Sequence, residues 1–379
     1  MEALVPARSS REEKDWTLGV FERLCAIESP SRSERAVADA VAAELRAMGL
    51  EPEEDATGPE TGSDAGNLLA RIPGPEGART ILLCAHLDTV PLDAPVEVRL
   101  SGGAYSNANE AILGADNKAA VATILGASRR LAREGPPVGV ELLFTTCEEL
   151  ALAGAKAFDA SVLASEFGFV FDHASPIGEL IVAAPTYFKI VADLHGRAAH
   201  AGIRPEAGRN AIAAAATAIA RMDIGRLDAE TTANVGVIAG GTAANVVAER
   251  CRAELEVRSL DPERAGTVVS SVIDALTEAA GEGDCDLDLV VEELFRGYRL
   301  SRTSAPVAAA AAALSGLGFE PAYVATGGGS DGNVFIAGGL PVLNVANGTE
   351  ANHEPGERVT VEALETMLDV TLGIVAQSA

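Results

Sequence analysis

Buried strands alternate with helices through the first half of this chain, and this alternation constrains the fold more than any other feature. Residues 80–85 form an unbroken apolar run, which is typical of a strand covered on both faces of a sheet. Helix or strand patterns follow in turn at 118–134, 139–145, 153–158 and 168–171. Such alternation predicts an α/β domain.

The pattern changes near Pro185, and the α/β style resumes after about residue 298. The order predicted between these points is β-α-β-β-α-β, which is typical of a small ferredoxin-like domain. We therefore predict a first domain made of residues 1–184 and 298–379, into which residues 185–297 are inserted as a second. The inner elements are predicted at 187–195, 209–222, 231–239, 246–258, 261–280 and 284–294.

The composition argues against several classes of partner. The formal net charge of −26 disfavours nucleic acid and anionic membranes, because both bind clustered Lys and Arg. Residues 1–16 are charged and lack an apolar core, so we expect no signal peptide, and apolar stretches such as 211–220 and 305–314 are too short to span a membrane. The five cysteines are widely spaced and form no CxxC pair, which favours reduced thiols in the cytoplasm.

Side chains that bind metal ions recur where predicted strands end. They follow three of the strands, a further aspartate lies in the turn before the helix at 118, and one histidine lies beyond the inserted domain. Two imidazoles and three carboxylates, with a spare carboxylate beside one of them, can hold two zinc ions and activate a water between them. The metal-binding set is His86, Asp116, Glu149, Asp172 and His353, and the spare carboxylate is Glu148.

Asp88 and Asp116 each have an ordinary structural alternative. Asp88 follows His86 by two residues, so the two side chains turn the same way and Asp88 can orient the imidazole. Otherwise it is a polar residue of a turn. Asp116 lies in a turn that opens a helix, where an aspartate is commonly an N-cap. Its two oxygens can instead bridge two metal ions about 3.5–4 Å apart.

Glu148 and Glu149 are adjacent, and on a strand they would point to opposite faces of the sheet. Both reach one site only if the chain leaves the sheet, and Thr145-Thr146-Cys147 supplies that exit. In that case we expect Glu148 to act as the general base and Glu149 to bind metal. The alternative is a solvated edge of the sheet.

Two further patterns lead to local predictions. Ser31 followed by Glu34 predicts a capping box at the start of a helix in the segment 16–49. The glycine-rich turn 327–332 matches GxGxxG, but it follows the βαβ units instead of opening the first one. We expect it to let the backbone approach a substrate near the metals, through Gly329 and Ser330. A nicotinamide-dependent oxidoreductase is the alternative.

Together these segments resemble the di-zinc aminoacylase and carboxypeptidase-like metallopeptidases, a family that includes peptidase T, acetylornithine deacetylase and succinyl-diaminopimelate desuccinylase. The resemblance extends over essentially the whole chain. It implies a zinc-peptidase-like α/β catalytic domain, with a mixed central sheet flanked by helices, and an inserted ferredoxin-like dimerisation or lid domain. The segments that carry it are His86-Leu87-Asp88-Thr89-Val90-Pro91, Gly114-Ala115-Asp116-Asn117-Lys118, Thr146-Cys147-Glu148-Glu149, Asp172, Gly196-Arg197-Ala198-Ala199-His200-Ala201-Gly202, Gly328-Gly329-Ser330-Asp331 and Asn352-His353-Glu354-Pro355.

The resemblance also implies how the site residues divide between two ions. His86, Asp116 and Asp172 would bind one zinc, and Asp116, Glu149 and His353 would bind the other, with Co²⁺ or Mn²⁺ as substitutes. The peptide bond after Asp116 would be cis.

Residues of the inserted domain are given roles by the same resemblance. His200 and Asn245 would reach an active site, in the same chain or in the partner of a homodimer, and His200 would stabilise the oxyanion. Arg258 would hold the substrate carboxylate, because a guanidinium suits bidentate carboxylate binding. The alternative for Arg258 is a surface residue neutralised by Glu256 or Asp261.

The details around Asp172, together with Gly154-Ala155-Lys156 and Gly178-Glu179-Leu180, look most like peptidase T. The stretch between Pro91 and Gly114 is shorter than in the tripeptidase, where it shapes the pocket. That departure counts against strict specificity for tripeptides, and the peptidase T-like details predict an aminopeptidase or tripeptidase for short peptides with a free carboxylate. An N-acyl amino acid deacylase, or a carboxypeptidase of the same family, would use the same metal chemistry. The remaining alternative is an inactive binding or scaffold homologue.

Overall fold

The structure is a computed structural model that describes residues 8–379. Part of the segment 1–16, for which we expect no signal peptide, therefore lies outside the described residues. Two compact units are present. The first contains the described residues up to Val182, together with Leu300–Thr326 and Ser330–Ala379, and the second contains Ala183–Arg299 and Gly327–Gly329. The three glycines thus group with the second unit, whereas the sequence pattern had assigned them to the first domain.

The elements are as follows in chain order. The strands are β1 (Glu53–Glu54), β2 (Leu68–Ile72), β3 (Thr80–His86), β4 (Val98–Ser101), β5 (Ala104–Asn107), β6 (Gly139–Thr145), β7 (Phe167–Val170), β8 (Glu179–Ala184), β9 (Thr186–His195), β10 (Gly225–Arg226), β11 (Thr231–Gly240), β12 (Arg250–Ser259), β13 (Asp286–Phe295), β14 (Tyr298–Arg299), β15 (Ala322–Ala325), β16 (Val342–Val345), β17 (Thr349–Glu350) and β18 (Arg358–Thr360). The helices are α1 (Arg11–Cys25), α2 (Arg35–Ala47), α3 (Gly58–Thr61), α4 (Ala115–Glu134), α5 (Ala153–Ala157), α6 (Ala211–Arg221), α7 (Pro262–Glu282), α8 (Ala305–Leu317), α9 (Asp331–Ala337) and α10 (Val361–Gln377).

A mixed sheet forms the centre of the first unit, with the strand order β1-β2-β6-β3-β7-β16-β8. The four middle strands β6, β3, β7 and β16 run parallel, and β2 and β8 are antiparallel to their neighbours. His86 pairs with Thr145, and Cys84 pairs with Val170. The polar residues that follow β3, β6 and β7 therefore leave the sheet at the same edge.

Helices cover both faces of this sheet, as the apolar run 80–85 predicts. Ile81, Leu83 and Ala85 face a core that α1, α4, α8 and α10 complete. Leu82 and Cys84 face a smaller core, which α5 and α9 cover. Because period-2 alternation sends neighbouring residues to opposite faces, a strand buried on both sides needs apolar residues throughout, and β3 has them.

A small antiparallel sheet, with the order β17-β18-β5-β4, lies in the same unit. Thr349 of β17 pairs with Val359 of β18, so these strands form a hairpin. The hairpin loop carries Asn352 and His353, and it was not predicted from the sequence.

The second unit is an antiparallel sheet with the order β10-β11-β12-β9-β13, and α6 and α7 pack on it. Its main elements follow the order β9-α6-β11-β12-α7-β13, which is the predicted ferredoxin-like arrangement. Ile190, Ala192 and Leu194 of β9 contribute to its core. Within residues 8–379, no helix has the length and apolar character needed to cross a membrane.

The predicted capping box at Ser31 is wrong. Helix α2 begins at Arg35 after Glu34, whose side chain makes no capping bond. The Ser31 hydroxyl donates to Asp88 (2.7 Å), and the Glu34 carboxylate accepts from the Ser63 hydroxyl and the Cys147 amide. Both side chains therefore form hydrogen bonds with residues distant in the sequence instead of capping a helix.

Candidate metal centre

Three of the predicted ligands meet where β3 and β7 end. The Nε2 atom of His86 lies 3.2 Å from Oδ1 of Asp116 and 3.5 Å from Oδ1 of Asp172. Both carboxylates are largely buried, and the imidazole is almost completely so. These three side chains, from β3, the turn that opens α4 and the segment after β7, therefore share one small volume.

His353 forms a second cluster around the same aspartate. Its Nε2 atom lies 2.8 Å from Oε1 of Glu149 and 3.3 Å from Oδ2 of Asp116. One oxygen of Asp116 thus faces each histidine, which is the arrangement expected of a carboxylate that bridges two cations. Asp116 makes no side-chain N-cap bond, and the peptide bond that joins it to Asn117 is cis, as the family resemblance implies.

The two adjacent glutamates reach the site because the chain turns sharply after β6. Cys147 has a φ of 51°, and the amides of Glu148 and Glu149 both donate to the Asp88 carboxylate, at 2.9 and 3.1 Å. Asp88 also touches His86, although the Nδ1 atom of the ring lies closer to the Asp88 carbonyl (3.0 Å) than to its carboxylate (3.5 Å). Asp88 therefore orients the imidazole mainly through its backbone, and its carboxylate holds the glutamate pair.

Burial and crowding of like charges shift the acidities of these groups. Burial, followed by the charge of Asp172, raises the pKa of Glu148 well above its ordinary value. Burial also raises the pKa of Asp172 and of Glu149. Hydrogen bonds to Asp116 and Glu149 raise the pKa of His353 to about 10.

The donors present fit a pair of divalent cations. Ligand atoms of His86, Glu148 and Asp172 lie within 4.8 Å of one another, and so do those of His86, Asp116 and Glu149. These two groups contain more carboxylates than imidazoles. A buried charge is costly unless an opposite charge compensates it, so the site favours cations. Carboxylate oxygen and imidazole nitrogen are ligands that zinc accepts.

Four polar residues that the sequence prediction did not assign also support the centre. The Asn344 side chain accepts a hydrogen bond from the Asp172 amide (3.0 Å) and donates one to the Asp172 carbonyl (2.9 Å). Asp331 is fully buried and accepts a hydrogen bond from Thr145. Asn352 and Glu357 both contact Asp116. Asn352 and Asp331 lie in segments that carry the family resemblance, whereas no local signal marks Asn344 or Glu357.

His200 and Asn245 lie together in the second unit. The Ala201 amide donates to the Asn245 carbonyl (2.9 Å), and His200 forms an isolated bridge with Val246. The imidazole of His200 is exposed, and its Nδ1 atom accepts from the Gly202 amide at 3.2 Å. The predicted oxyanion role of His200 stays a prediction.

Arg258 is already well bound within the second unit. Its guanidinium donates to Glu256 (3.1 Å) and to the Gly327 carbonyl (3.0 Å), and it stacks over the Tyr187 ring at 4.1 Å. Of the two partners named by the alternative interpretation, Glu256 and Asp261, the first is bonded to Arg258.

Gly329, in the same unit, passes so close to the Phe295 ring that a Cβ atom would lie 2.4 Å from it. The Phe295 ring therefore leaves no room for a side chain at this position, which explains why the residue is glycine. Ser330, in the first unit, is buried before α9. Substrate contact by either residue stays a prediction.

Comparison with known proteins agrees with the two-unit fold and with a metal-dependent hydrolase. Residues 187–284 match the M20 peptidase dimerisation domain, and residues 67–182 match peptidase family M28. The uncharacterized protein YqjE of Bacillus subtilis is 34% identical over 360 residues, which cover 95% of this chain and 97% of YqjE.

Two crystal structures are similar over nearly their whole length. Aminopeptidase PepT from Bacillus cereus is 34% identical, with a TM-score of 0.89, and a tripeptidase from Staphylococcus aureus is 31% identical, with a TM-score of 0.92. Each comparison covers 96% of this chain and 98% of the other. The chain therefore belongs to the M20-type metallopeptidases.

Proposed function

We propose that this chain is a peptidase T-like aminopeptidase, which hydrolyses an amide bond of short peptides at a centre of two divalent cations. The observation that carries this proposal is the position of Asp116, which presents one carboxylate oxygen to His86 and the other to His353. The similarity to an aminopeptidase and a tripeptidase over almost the whole chain supports the choice of substrate.

Five side chains are proposed to hold the cations. His86, Asp116 and Asp172 would form one position, and Asp116, Glu149 and His353 the other. Zinc is the proposed metal, because imidazole and carboxylate donors suit it, with Co²⁺ or Mn²⁺ as substitutes. When bound, such a pair polarises a peptide carbonyl and makes water more acidic.

Glu148 is proposed as the general base, which takes a proton from the attacking water and passes it to the leaving amine. The Asp88 carboxylate accepts its amide, and the Glu148 carboxylate lies beside His86 and Asp172, whereas His353 bonds to Glu149. The surrounding burial raises its pKa, which makes Glu148 a stronger base than an exposed glutamate.

The matched pair Glu148→Gln and Glu149→Gln tests these roles. Both changes remove one charge and preserve the shape of the side chain. Glu148→Gln should retain two ions per chain and lose about 10²–10⁴-fold in turnover, whereas Glu149→Gln should lose one ion. Metal content after dialysis and turnover are measured together. Equal loss of metal in both variants would contradict the assignment, and activity that survives thorough chelation would contradict the metal centre.

A screen of di- and tripeptides against N-acyl amino acids, with zinc, cobalt or manganese supplied, tests the substrate class. We expect hydrolysis of peptides. Preferential hydrolysis of acyl amino acids would assign a deacylase, and removal of C-terminal residues would assign a carboxypeptidase.

Arg258 is proposed to hold the substrate carboxylate, with Asn245, Gly329 and Ser330 as further substrate contacts, and His200 is proposed to stabilise the oxyanion. To bind substrate, the Arg258 guanidinium would exchange its bond to Glu256 for one to the substrate. A short peptide should therefore be cleaved faster than its C-terminal amide, and Arg258→Ala should remove the difference. Equal cleavage of the free acid and the amide by the wild type would contradict the proposed role of Arg258. His200→Ala should lower turnover at unchanged metal content.

We propose a cytoplasmic homodimer that forms through the second unit. The match to a peptidase dimerisation domain supports this assembly. Val237 and Ile238 of β11 and Val290 of β13 are exposed, and these strands are the long strands nearest the two edges of the sheet. Sedimentation at micromolar concentration should give about twice the chain mass of 38.8 kDa; a single species of the chain mass would contradict the dimer.

A further inference from the structure

Glu357 is a completely buried carboxylate that binds a distant turn entirely through backbone amides. One of its oxygens accepts from Leu113 and Gly114, both at 2.7 Å, and the other accepts from Asp116 at 2.8 Å. Its side chain is 1% exposed. The three amides lie more than 240 residues away in the chain. Glu357 thus holds the backbone at the proposed bridging ligand, although it contacts no cation position itself.

This turn needs an external acceptor. Gly114 has a φ of 76°, and Asp116 and Asn117 have non-helical backbone angles although they lie within the bounds of α4. The first amides of a helix have no acceptor within the helix, and buried amides are costly when unpaired. The two oxygens of Glu357 satisfy three buried amides of this turn at once, of which one, that of Asp116, lies in α4, and they thereby select this backbone conformation.

Asn352 acts on the side chain of the same aspartate. Its Nδ2 atom donates to Oδ2 of Asp116 at 2.8 Å. That oxygen also faces His353, at 3.3 Å, and the other oxygen is left facing His86. Asn352 therefore fixes which way the carboxylate of Asp116 turns.

Both contacts come from the hairpin that carries His353. The hairpin is closed by the pairing of β17 with β18, and the Glu357 amide donates back to the Glu354 carbonyl at 2.9 Å. One short segment thus supplies a ligand of its own and holds a second ligand at both its backbone and its side chain.

We propose that Glu357 and Asn352 are positioning residues that couple the two cation positions through Asp116. This inference rests on the proposed bridging role of Asp116. Loss of His353 removes a ligand from one position only. Loss of Glu357 releases the shared ligand, so it weakens both positions together.

The test compares Glu357→Gln with His353→Ala in the full-length chain. Gln keeps the shape of the side chain but places an NH₂ group against a backbone donor. Metal-free protein is titrated with Zn²⁺ against a competing chelator, and the affinity and number of ions are read directly. Glu357→Gln should weaken both ions by about 10–100-fold, as loss of a group that orients a metal ligand typically does. His353→Ala should weaken one ion only.

Glu141→Gln is the matched control. Glu141 is equally buried and also accepts backbone amides, those of Ala164 and Ser165. Its replacement should lower the melting temperature while both zinc affinities stay at the wild-type values. Zinc affinities reduced as much in Glu141→Gln as in Glu357→Gln would show that general destabilisation is the cause, and would overturn the inference.

Further outcomes separate this inference from the proposed function. A wild type that binds fewer than two ions overturns the proposed centre. A wild type that binds two ions, with a Glu357→Gln variant that binds them equally well, overturns the inference alone. If Glu357→Gln fails to fold, Asn352→Ala decides, because its side chain lies in a partly exposed loop. Weaker binding at both positions supports the coupling, and unchanged binding overturns it.

Discussion

Asp331 is a buried carboxyl group beside the candidate metal centre, and its charge should make the stability of the metal-free protein depend on pH. Its Oδ2 atom accepts from the Thr145 hydroxyl at 2.5 Å, and its Oδ1 atom is buried without a hydrogen-bond partner among the described residues. Burial, opposed in part by the Thr145 hydroxyl and by the nearby His86, raises the pKa of Asp331 to about 7. We predict that Asp331→Asn removes this dependence.

The sign follows from the direction of the shift. A carboxyl whose pKa is raised in the folded state binds its proton more tightly there, so the folded protein is most favoured below the unfolded pKa of about 3.9 and loses stability as the pH rises towards 7. A shift of this size corresponds to about 4 kcal/mol in total. Most of that loss, about 2–3 kcal/mol, falls between about pH 5 and about pH 8.5.

Asparagine cannot ionise, so Asp331→Asn should gain about 2–3 kcal/mol relative to the wild type over this interval. Its NH₂ group lacks a partner at the Oδ1 position, which costs about 1–3 kcal/mol. That cost is the same at every pH, so it moves the absolute stability of the variant and leaves the pH dependence of the difference unchanged.

Thermal unfolding of chelated, desalted protein at about pH 5 and about pH 8.5 measures the effect. The difference in melting temperature between Asp331→Asn and the wild type should grow by about 5 °C towards the higher pH, at roughly 2 °C per kcal/mol for a unit of this size. Zinc-loaded protein is the control, and the pH dependence of the difference should shrink there because the cations compensate the acidic cluster. An equal difference at both pH values would refute the reasoning.

Three further predictions concern the first unit. The pKa of Glu13 is shifted in the opposite direction, because its hydrogen bond with Arg130 lowers it to about 2. Glu13→Gln should therefore destabilise the protein above about pH 5 and have little effect in acid. A loss of melting temperature that does not depend on pH would contradict the ion pair. Gly154→Ala should lower the free energy of unfolding by about 1–3 kcal/mol in urea, since a Cβ atom would lie 1.9 Å from the Thr146 carbonyl oxygen. A variant as stable as the wild type would show that the backbone can shift here without cost. Ser10→Ala should cost about 1 kcal/mol in the same assay because Ser10 caps α1, and Ser10→Thr is the control that keeps the cap.

The buried strands and the polar residues at their ends were predictable, because both depend on local patterns. An apolar run such as that of β3 can be satisfied only between two layers of helices, and the observed cores on its two faces confirm this. Parallel strands end at one edge of the sheet. The strand order therefore suffices to predict that His86, Glu148 and Asp172 lie close together. The order itself is a non-local property that no single segment encodes.

The misassigned capping box shows where local patterns lose to tertiary contacts. Ser31 and Glu34 have the spacing of a helix start, yet Asp88 and Cys147 compete for them across the fold. A capping bond contributes about 1 kcal/mol, whereas a buried carboxylate without its amide partners costs more. Glu34 therefore serves the loop that carries the two glutamates, and α2 begins without a side-chain cap.

Glu357 had no local signal for a related reason. Its function depends on three amides in a turn that lies more than 240 residues earlier, and nothing in the hairpin sequence identifies them. His353 was found because imidazole is an uncommon and chemically specific side chain. A glutamate in an acidic protein carries no such information.

Four of the five proposed ligands, all except His353, are held by a hydrogen bond to a residue that is not itself a proposed ligand. The Asp88 carbonyl holds the ring of His86, the Asp88 carboxylate holds the two glutamates, Glu357 holds Asp116, and Asn344 accepts the Asp172 amide. This scaffold keeps carboxylates buried and close together although they repel one another, and burial, followed by that repulsion, raises the pKa values of Glu148 and Asp172. Two divalent cations at the proposed centre would relieve that repulsion. Binding should therefore raise the melting temperature, since the cations bind the folded chain in preference to the unfolded one.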